Sequence, residues 1–289
     1  MKIDDVKKLC VIGAGNMGHQ ISLQCALSGY LTVCTDISRE QLNKASSFVE
    51  QYLPGRVAKG KLTQEQADRA KANISFTTDL EEAVRDADFV IEAATEKINT
   101  KRELFKKLDE LCQPHTILAT NSSYIVSSKI ADATNRPAKV CNMHFFNPAL
   151  VMKCVEVVKG PHTSDETAEI TMELSRRLQK VPVLLHKEVY GFLVNRILKV
   201  IAEEALFLYE TGVASIEDID SAVVNALGHP IGPFRLLDLT GIDLSYHVGM
   251  ERYMETMDPA KKPSPTIVEK YVKGEWGQKA SKGFYTYDR

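Results

Sequence analysis

The chain has 289 residues and carries 36 Lys and Arg against 38 Asp and Glu, a net charge of −2. Hydrophobic residues make up 44% and charged residues 26%, which excludes disordered and fibrous proteins. Because the charge is balanced and no apolar run approaches the ~18 residues of a membrane helix, we expect neither a nucleic-acid nor a membrane partner.

Short apolar runs alternate with helical patterns over the first two-thirds of the chain. The predicted strands are Leu9–Ile12, Leu31–Thr35, Ile74–Phe76, Phe89–Ala93, Thr116–Ala119 and Val140–Phe146. The predicted helices, where apolar residues recur every three or four positions, are Gly18–Ser28, Glu40–Leu53, Asp79–Arg85, Thr100–Cys112 and Ser127–Ala133. This alternation predicts a mainly parallel sheet covered by helices on both faces.

The pattern changes near Lys187. The segment GFLVNRILKVIAEEALFLYETG predicts one long helix that is apolar on most of its surface, and SIEDIDSAVVNAL predicts another that Gly228 ends. We therefore predict an α/β protein with the sheet in a domain over residues 1–187, followed by an all-α domain over residues 188–289. Because so apolar a helix needs cover on several sides, we expect a homodimer formed through the second domain.

The six cysteines lie mostly in apolar runs and form no Cys-x-x-Cys pair and no metal motif with His. Such cysteines behave as small hydrophobic residues, which is typical of a reducing compartment. The N-terminus, MKIDDVKKLCVIG, resembles neither a signal peptide nor a transit peptide. We therefore expect a cytoplasmic protein without a bound metal.

A glycine motif, VIGAGNMG, follows the first predicted strand and opens the first helix. Gly13 permits the tight turn, Gly15 lets the backbone approach a pyrophosphate, and Gly18 lets the helix pack on the strand. Asp36 ends the second strand, where a carboxylate binds the adenosine ribose of NAD, although Arg39 nearby also fits the extra phosphate of NADP. The motif predicts a Rossmann-type domain that binds NAD through Gly13, Gly15, Asn16, Met17, Gly18 and Asp36.

Three polar residues further along the chain suit the oxidation of an alcohol. His144 ends a strand at the carboxyl edge of the sheet, and Glu156 is flanked by valines in the strand-like segment CVEVV. A neutral imidazole suits removal of the hydroxyl proton, and a carboxylate behind it fixes its tautomer. The Ser123 hydroxyl suits binding of the substrate oxygen. Taken singly, His144 and Glu156 are equally explained as structural polar groups.

Seven segments give the chain a resemblance to the L-3-hydroxyacyl-CoA dehydrogenase family: GAGNMG, IEAATE, ATNSS, HFFNP, GFLVNR, GHPIGPF and KGFYTY. The chain is similar in length to the short, stand-alone bacterial members of that family, the 3-hydroxybutyryl-CoA dehydrogenases. The resemblance implies reversible oxidation of an (S)-3-hydroxyacyl-CoA with NAD as cofactor, within fatty acid or butanoate metabolism.

The resemblance also implies roles for single residues. It makes His144 the general base and Glu156 its orienting partner, while Ser123 and Asn195 bind the substrate. The further cofactor contacts that it implies are Glu96, Lys101, Ser123, Asn147 and Lys279. Lys59 is a candidate contact for the coenzyme A phosphate, although a solvated turn explains it as well. From the residues alone, Asn195 also fits a helix-packing amide, and Lys101 and Lys279 also fit solvated lysines.

Two alternatives to the family's activity stay open, and departures from the family pattern bear on the first of them. Tyr124 stands where a small Ser is expected, and Tyr190 where a Pro is expected. The first alternative is a dehydrogenase of a 3-hydroxy acid without coenzyme A, such as carnitine or a sugar acid. The second is an NAD-binding protein without turnover.

Overall fold

A computed structural model describes residues 1–288, and its chain divides into two compact units after Leu193. The first unit contains an eight-stranded sheet, and the second is helical. Among the described residues, no helix combines the length and the apolar character that a membrane crossing requires.

The sheet of the first unit is almost entirely parallel. Its strands are β1 (Lys8–Ile12), β2 (Leu31–Thr35), β3 (Ile74–Thr77), β4 (Phe89–Glu92), β5 (Ile117–Thr120), β6 (Val140–Phe145), β7 (Cys154–Val158) and β8 (Val181–Leu185). Their order across the sheet is β3-β2-β1-β4-β5-β6-β7-β8, and only the β6–β7 pair is antiparallel. The order reverses between β1 and β4, and open α/β sheets bind ligands at the carboxyl edge of such a point.

Seven helices connect these strands within the first unit. They are α1 (Gly18–Leu27), α2 (Arg39–Ala58), α3 (Gln64–Ala72), α4 (Leu80–Val84), α5 (Ile98–Leu111), α6 (Ser128–Ala131) and α7 (Asp165–Arg177). Local sequence explains where several begin, since Ser38, Thr63 and Asp79 each accept a backbone N–H in the first turn of α2, α3 and α4. Thr63 also forms a reciprocal capping box with Gln66.

The two faces of the sheet pack into separate hydrophobic cores. Leu9 and Val11 of β1 face one core, whereas Cys10 and Ile12 face the other, because successive side chains of a strand point to opposite faces. The predicted parallel sheet with helices on both faces is therefore confirmed.

Five of the six cysteines are buried, and burial raises the pKa of the Cys141 thiol to about 12.

Strand β8 is missing from the sequence-based prediction. Its segment VPVLL contains Pro182, which removes a hydrogen-bond donor and argues against a strand. The strand lies at the edge of the sheet and pairs only with β7, and a proline is tolerated there. After β8, the N–H of Leu193 donates to Glu156 of β7 at 2.9 Å, which keeps this loop with the first unit.

The second unit is all-α, as predicted. Its helices are α8 (Val194–Glu210), α9 (Ile216–Leu227), α10 (Pro233–Thr240), α11 (Ile242–Thr256) and α12 (Pro265–Val272). Phe234, Ile242 and Ile267 lie at the centre of its core. The prediction that one helix begins at Gly191 is wrong, because Gly191 and Phe192 adopt the left-handed backbone conformation, with φ of +74° and +48°, and α8 begins only after them.

Candidate active site

The turn between β1 and α1 requires glycine at two positions. A Cβ on Gly13, which has a φ of +98°, would lie 2.7 Å from the carbonyl oxygen of Ala93. A Cβ on Gly18 would lie 1.6 Å from the carbonyl oxygen of Gly13. Gly15 differs from both, because no atom lies within 4 Å of the place where its Cβ would be. The turn is therefore closely packed at Gly13 and Gly18 and open at Gly15, where a ligand can approach the backbone.

The open side of the turn offers hydrogen-bond donors. Among the described residues, none accepts a hydrogen bond from the amide N–H groups of Gly15, Asn16 and Met17, which precede α1. Unpaired N–H groups and the helix dipole together favour a phosphate group at this position. Asp36 lies beside the turn and accepts the N–H of Ala14 at 2.7 Å. These residues fit the pyrophosphate and adenosine ribose of a dinucleotide.

A His–Glu pair lies further along the same edge of the sheet. The antiparallel register of β6 and β7 places His144 directly opposite Glu156, and both side chains are buried. The Nδ1 atom of His144 lies 2.8 Å from Oε2 of Glu156, whose Oε1 accepts the N–H of Leu193. Because a carboxylate only accepts hydrogen bonds, this contact places the proton on Nδ1 and leaves the Nε2 lone pair available.

The second ring nitrogen of His144, Nε2, faces a hydroxyl group. This Nε2 lies 3.1 Å from Oγ of Ser123, which follows β5. The rings of Phe146 and Phe192 lie 4.6 and 5.5 Å from the imidazole, measured between centroids. The imidazole therefore has a carboxylate on one side, a hydroxyl on the other, and aromatic rings that limit access of water.

Glu96 and Asn121 fix the loops that surround this pair. Glu96 accepts the hydroxyl of Ser122 at 2.5 Å and the backbone N–H of Ser123 at 3.3 Å. Asn121 accepts the N–H of Phe145 at 2.8 Å, next to His144. Sequence reasoning had missed Asn121, although an amide at the carboxyl end of a buried strand was a usable signal.

Lys101 is buried rather than solvated, so the alternative of a solvated lysine is wrong at this position. Its side chain is 1% exposed and forms an ion pair with Glu92, the last residue of β4, and its Nζ lies 3.2 Å from the Thr120 hydroxyl. Sequence reasoning had missed Glu92 as well. The signal for it was an acidic residue at the end of the apolar strand FVIE.

Asn147 connects the glycine turn to the loop after β6. Its side-chain oxygen accepts the Asn16 amide at 3.3 Å, and Gln20 donates to the Asn16 carbonyl oxygen at 2.9 Å. The bond between Asn147 and Pro148 is cis. The dinucleotide turn and the strand that carries His144 are thus joined by side-chain amides.

The remaining predicted residues lie elsewhere in the chain. Asn195 is half-buried near the start of α8, and Lys279 pairs with Asp243 at 2.5 Å, both within the second unit. Lys59 is exposed at the end of α2. Over residues 1–288, no three His, Cys, Asp or Glu side chains are grouped so as to hold a metal ion.

Comparison with known families accounts for this arrangement. Residues 8–189 match the family model of the 3-hydroxyacyl-CoA dehydrogenase NAD binding domain, and residues 191–287 match the C-terminal domain of the same family. The chain belongs to the 3-hydroxyacyl-CoA dehydrogenase family. The family resemblance of the sequence motifs is thereby confirmed, and so is NAD as the cofactor of the first unit.

Individual relatives match over nearly the whole chain. The mitochondrial hydroxyacyl-coenzyme A dehydrogenase of Homo sapiens is 39% identical, over 98% of this chain and 91% of its own. A 3-hydroxybutyryl-CoA dehydrogenase of Clostridioides difficile is also 39% identical, over 98% of this chain and all of its own. The crystal structure of (S)-3-hydroxybutyryl-CoA dehydrogenase from Ralstonia eutropha is similar with a TM-score of 0.91 and 36% identity, covering 98% and 100% of the two chains.

Proposed function

We propose that this protein reversibly oxidises an (S)-3-hydroxyacyl-CoA to the 3-oxoacyl-CoA, with His144 as the general base. The observation that carries the proposal is the orientation of His144, whose Nδ1 is held by Glu156 while Nε2 faces the Ser123 hydroxyl. Bound NAD supplies the acceptor for the hydride that leaves the carbinol carbon. The hydroxyl proton of the substrate passes to Nε2 of His144, and the C–O bond becomes a carbonyl.

Glu156 supports this proton transfer without taking the proton. Its carboxylate holds the imidazole in the required tautomer and stabilises the imidazolium that forms. Full burial strengthens the effect, because the exposed fraction of Glu156 is 0%. In the reverse direction the same imidazolium returns the proton to the substrate oxygen.

We propose that Ser123 and Asn195 bind the substrate oxygen. The Ser123 hydroxyl lies within hydrogen-bonding distance of the base, so an oxygen that contacts both groups is held at the reacting centre. The proposed cofactor contacts are the glycine turn, Asp36, Glu96, Lys101, Asn147 and Lys279. Lys59 is the proposed contact for the coenzyme A phosphate.

We also propose a short acyl chain, as in 3-hydroxybutyryl-CoA, and a homodimer formed through the helical unit. The names of the bacterial relatives support the first proposal. The second is supported by α8, where Ile197, Val200 and Phe207 are more than half exposed.

We further propose a cytoplasmic location and a role in fatty acid or butanoate metabolism. The buried free cysteines fit a reducing cytoplasm, and an acyl-CoA substrate fits that metabolism.

The decisive assay follows the loss of NADH absorbance when acetoacetyl-CoA is added, with free acetoacetate as the comparison. Turnover that is tens of times better with the thioester supports an acyl-CoA substrate, and equal turnover favours a 3-hydroxy acid without coenzyme A. In the His144→Gln variant we expect kcat to fall by about 10²-fold or more, with similar affinity for NAD. Turnover close to that of the wild type in this variant would rule out His144 as the base.

A further inference from the structure

The buried ion pair of Glu92 and Lys101 lies where a bound dinucleotide has to pass. The glycine turn follows β1 and His144 belongs to β6, with β4 and β5 between them in the sheet. Three strand spacings of about 4.8 Å separate β1 from β6, roughly 14 Å in all. A dinucleotide with its pyrophosphate at the turn and its reactive ring at His144 therefore crosses the carboxyl ends of β4 and β5.

Glu92 ends β4, and its carboxylate holds the neighbouring loop in place. One oxygen accepts the backbone N–H groups of Ala94 and Thr95 at 2.9 and 3.3 Å. The other oxygen accepts the Thr120 hydroxyl at 2.7 Å and forms the ion pair with Lys101. The exposed fraction of Glu92 is 0% and that of Lys101 is 1%, so water screens neither charge.

The loop that Glu92 holds also contacts the glycine turn. The N–H of Ala93 donates to the carbonyl oxygen of Ile12 at 2.7 Å, and a Cβ on Gly13 would touch the carbonyl oxygen of Ala93. On the other side, the N–H of Asn121 donates to the carbonyl oxygen of Glu92 at 2.7 Å. The pair therefore lies between the turn and the loop that carries Ser123, beneath the expected path of the nicotinamide.

Charge at this point distinguishes the two forms of the cofactor. The nicotinamide ring is cationic in NAD⁺ and neutral in NADH. An ammonium group beneath the ring without an opposing charge therefore weakens the binding of NAD⁺ but not of NADH. A carboxylate without an opposing charge strengthens the binding of NAD⁺ but not of NADH. Glu96 also lies in this region and keeps its negative charge, because its donors, the Ser122 hydroxyl and the Ser123 N–H, are neutral. Glu96 is unchanged in every variant of the test below, so its contribution cancels in the comparison between variants.

We propose that Glu92 is a positioning residue that neutralises Lys101 beneath the nicotinamide and thereby sets the relative affinity for NAD⁺ and NADH. The proposal rests on the proposed function, which places Lys101 at the cofactor. A unit charge on the order of 10 Å away, at an effective dielectric constant of about 20, changes the binding of a charged ring by about tenfold.

The test measures dissociation constants for NAD⁺ and NADH by titration calorimetry in Glu92→Gln, Lys101→Met and the double variant. In Glu92→Gln we expect the ratio Kd(NAD⁺)/Kd(NADH) to rise by about tenfold, because the Lys101 charge is no longer opposed. In Lys101→Met we expect the ratio to fall by about tenfold, because the Glu92 charge then remains alone. The double variant returns the ratio to within about threefold of the wild type.

The proposal predicts that the ratio Kd(NAD⁺)/Kd(NADH) changes in opposite directions in the two single variants. Structural damage would instead weaken the binding of both cofactors together. The control is Glu50→Gln, the same chemical change in the exposed pair of Glu50 with Lys71, and it leaves the ratio unchanged. If Glu92→Gln does not fold, the Lys101→Met ratio decides alone. A ratio that stays at the wild-type value in the folded variants overturns the proposal, whereas wild-type protein that binds neither cofactor overturns the proposed function instead.

Discussion

Replacing Glu156 by Gln tests the catalytic geometry with little change of shape. Glu156 accepts a hydrogen bond from His144 Nδ1 at 2.8 Å with one carboxylate oxygen and from the N–H of Leu193 at 2.9 Å with the other. A Gln side chain has one accepting oxygen and one donating NH₂ group. In either orientation of the amide, therefore, one buried donor faces another donor or the imidazole has to change its tautomer.

Both outcomes reduce catalysis for a physical reason. If the NH₂ group faces His144, the proton moves to Nε2, and the base no longer accepts the substrate proton. If it faces Leu193, the N–H of that residue is left unpaired, and the imidazolium still loses its counter-charge. A hydrogen bond to a charged group contributes about 1.5–3 kcal/mol, and this contribution is lost as the imidazolium forms in the transition state. The unpaired N–H of Leu193 is present in both states, so it lowers stability rather than kcat.

We therefore expect Glu156→Gln to lower kcat by about 10²-fold, since about 1.4 kcal/mol corresponds to a factor of ten. The assay is steady-state oxidation of NADH with acetoacetyl-CoA, together with the dissociation constant for NADH, which we expect to change little. The matched control is Glu169→Gln, an exposed site on α7 that is expected to retain wild-type turnover. If Glu156→Gln kept kcat within threefold of the wild type, the carboxylate would not be orienting the base.

Two further predictions concern the cofactor turn and the response to acid. Gly15→Ala is expected to fold with an unchanged melting temperature, because no atom lies within 4 Å of the new Cβ, yet to bind NAD at least about tenfold more weakly in calorimetry. Unchanged NAD affinity would show that the pyrophosphate does not approach Gly15. Burial raises the pKa of Asp109, but the Asn135 N–H and the Arg136 guanidinium outweigh it and hold that pKa below its ordinary value. Because a lowered pKa stabilises the folded state only while the carboxyl is ionised, Asp109→Asn is expected to lose about 1–3 kcal/mol of unfolding free energy at pH 7 in urea titrations. The difference in unfolding free energy between the wild type and Asp109→Asn becomes smaller below about pH 4. A difference that does not change with pH would show that the ionised carboxyl of Asp109 does not stabilise the fold.

Local sequence determined most of the first unit. The predicted bounds of β2, Leu31–Thr35, agree with the structure residue for residue, and those of the other five predicted strands agree within two residues, whereas β8 was not predicted. The reason is that strands buried on both faces are short apolar runs, and the helices between them carry their own capping residues. The glycine turn was predicted as well, because the glycines that form it lie within six consecutive residues, although one of the contacts that requires Gly13 is with the distant Ala93.

Tertiary structure alone decided how the distant side chains meet. The sequence predicted that Glu156 orients His144, but the contact itself depends on the antiparallel register of β6 with β7, which places the two residues opposite each other. The burial of Lys101 likewise depends on tertiary structure, because its partners Glu92 and Thr120 end the neighbouring strands β4 and β5. Hydrophobic periodicity records which face of an element is buried, but the partner of a polar group depends on strand order and register, which the local pattern does not record.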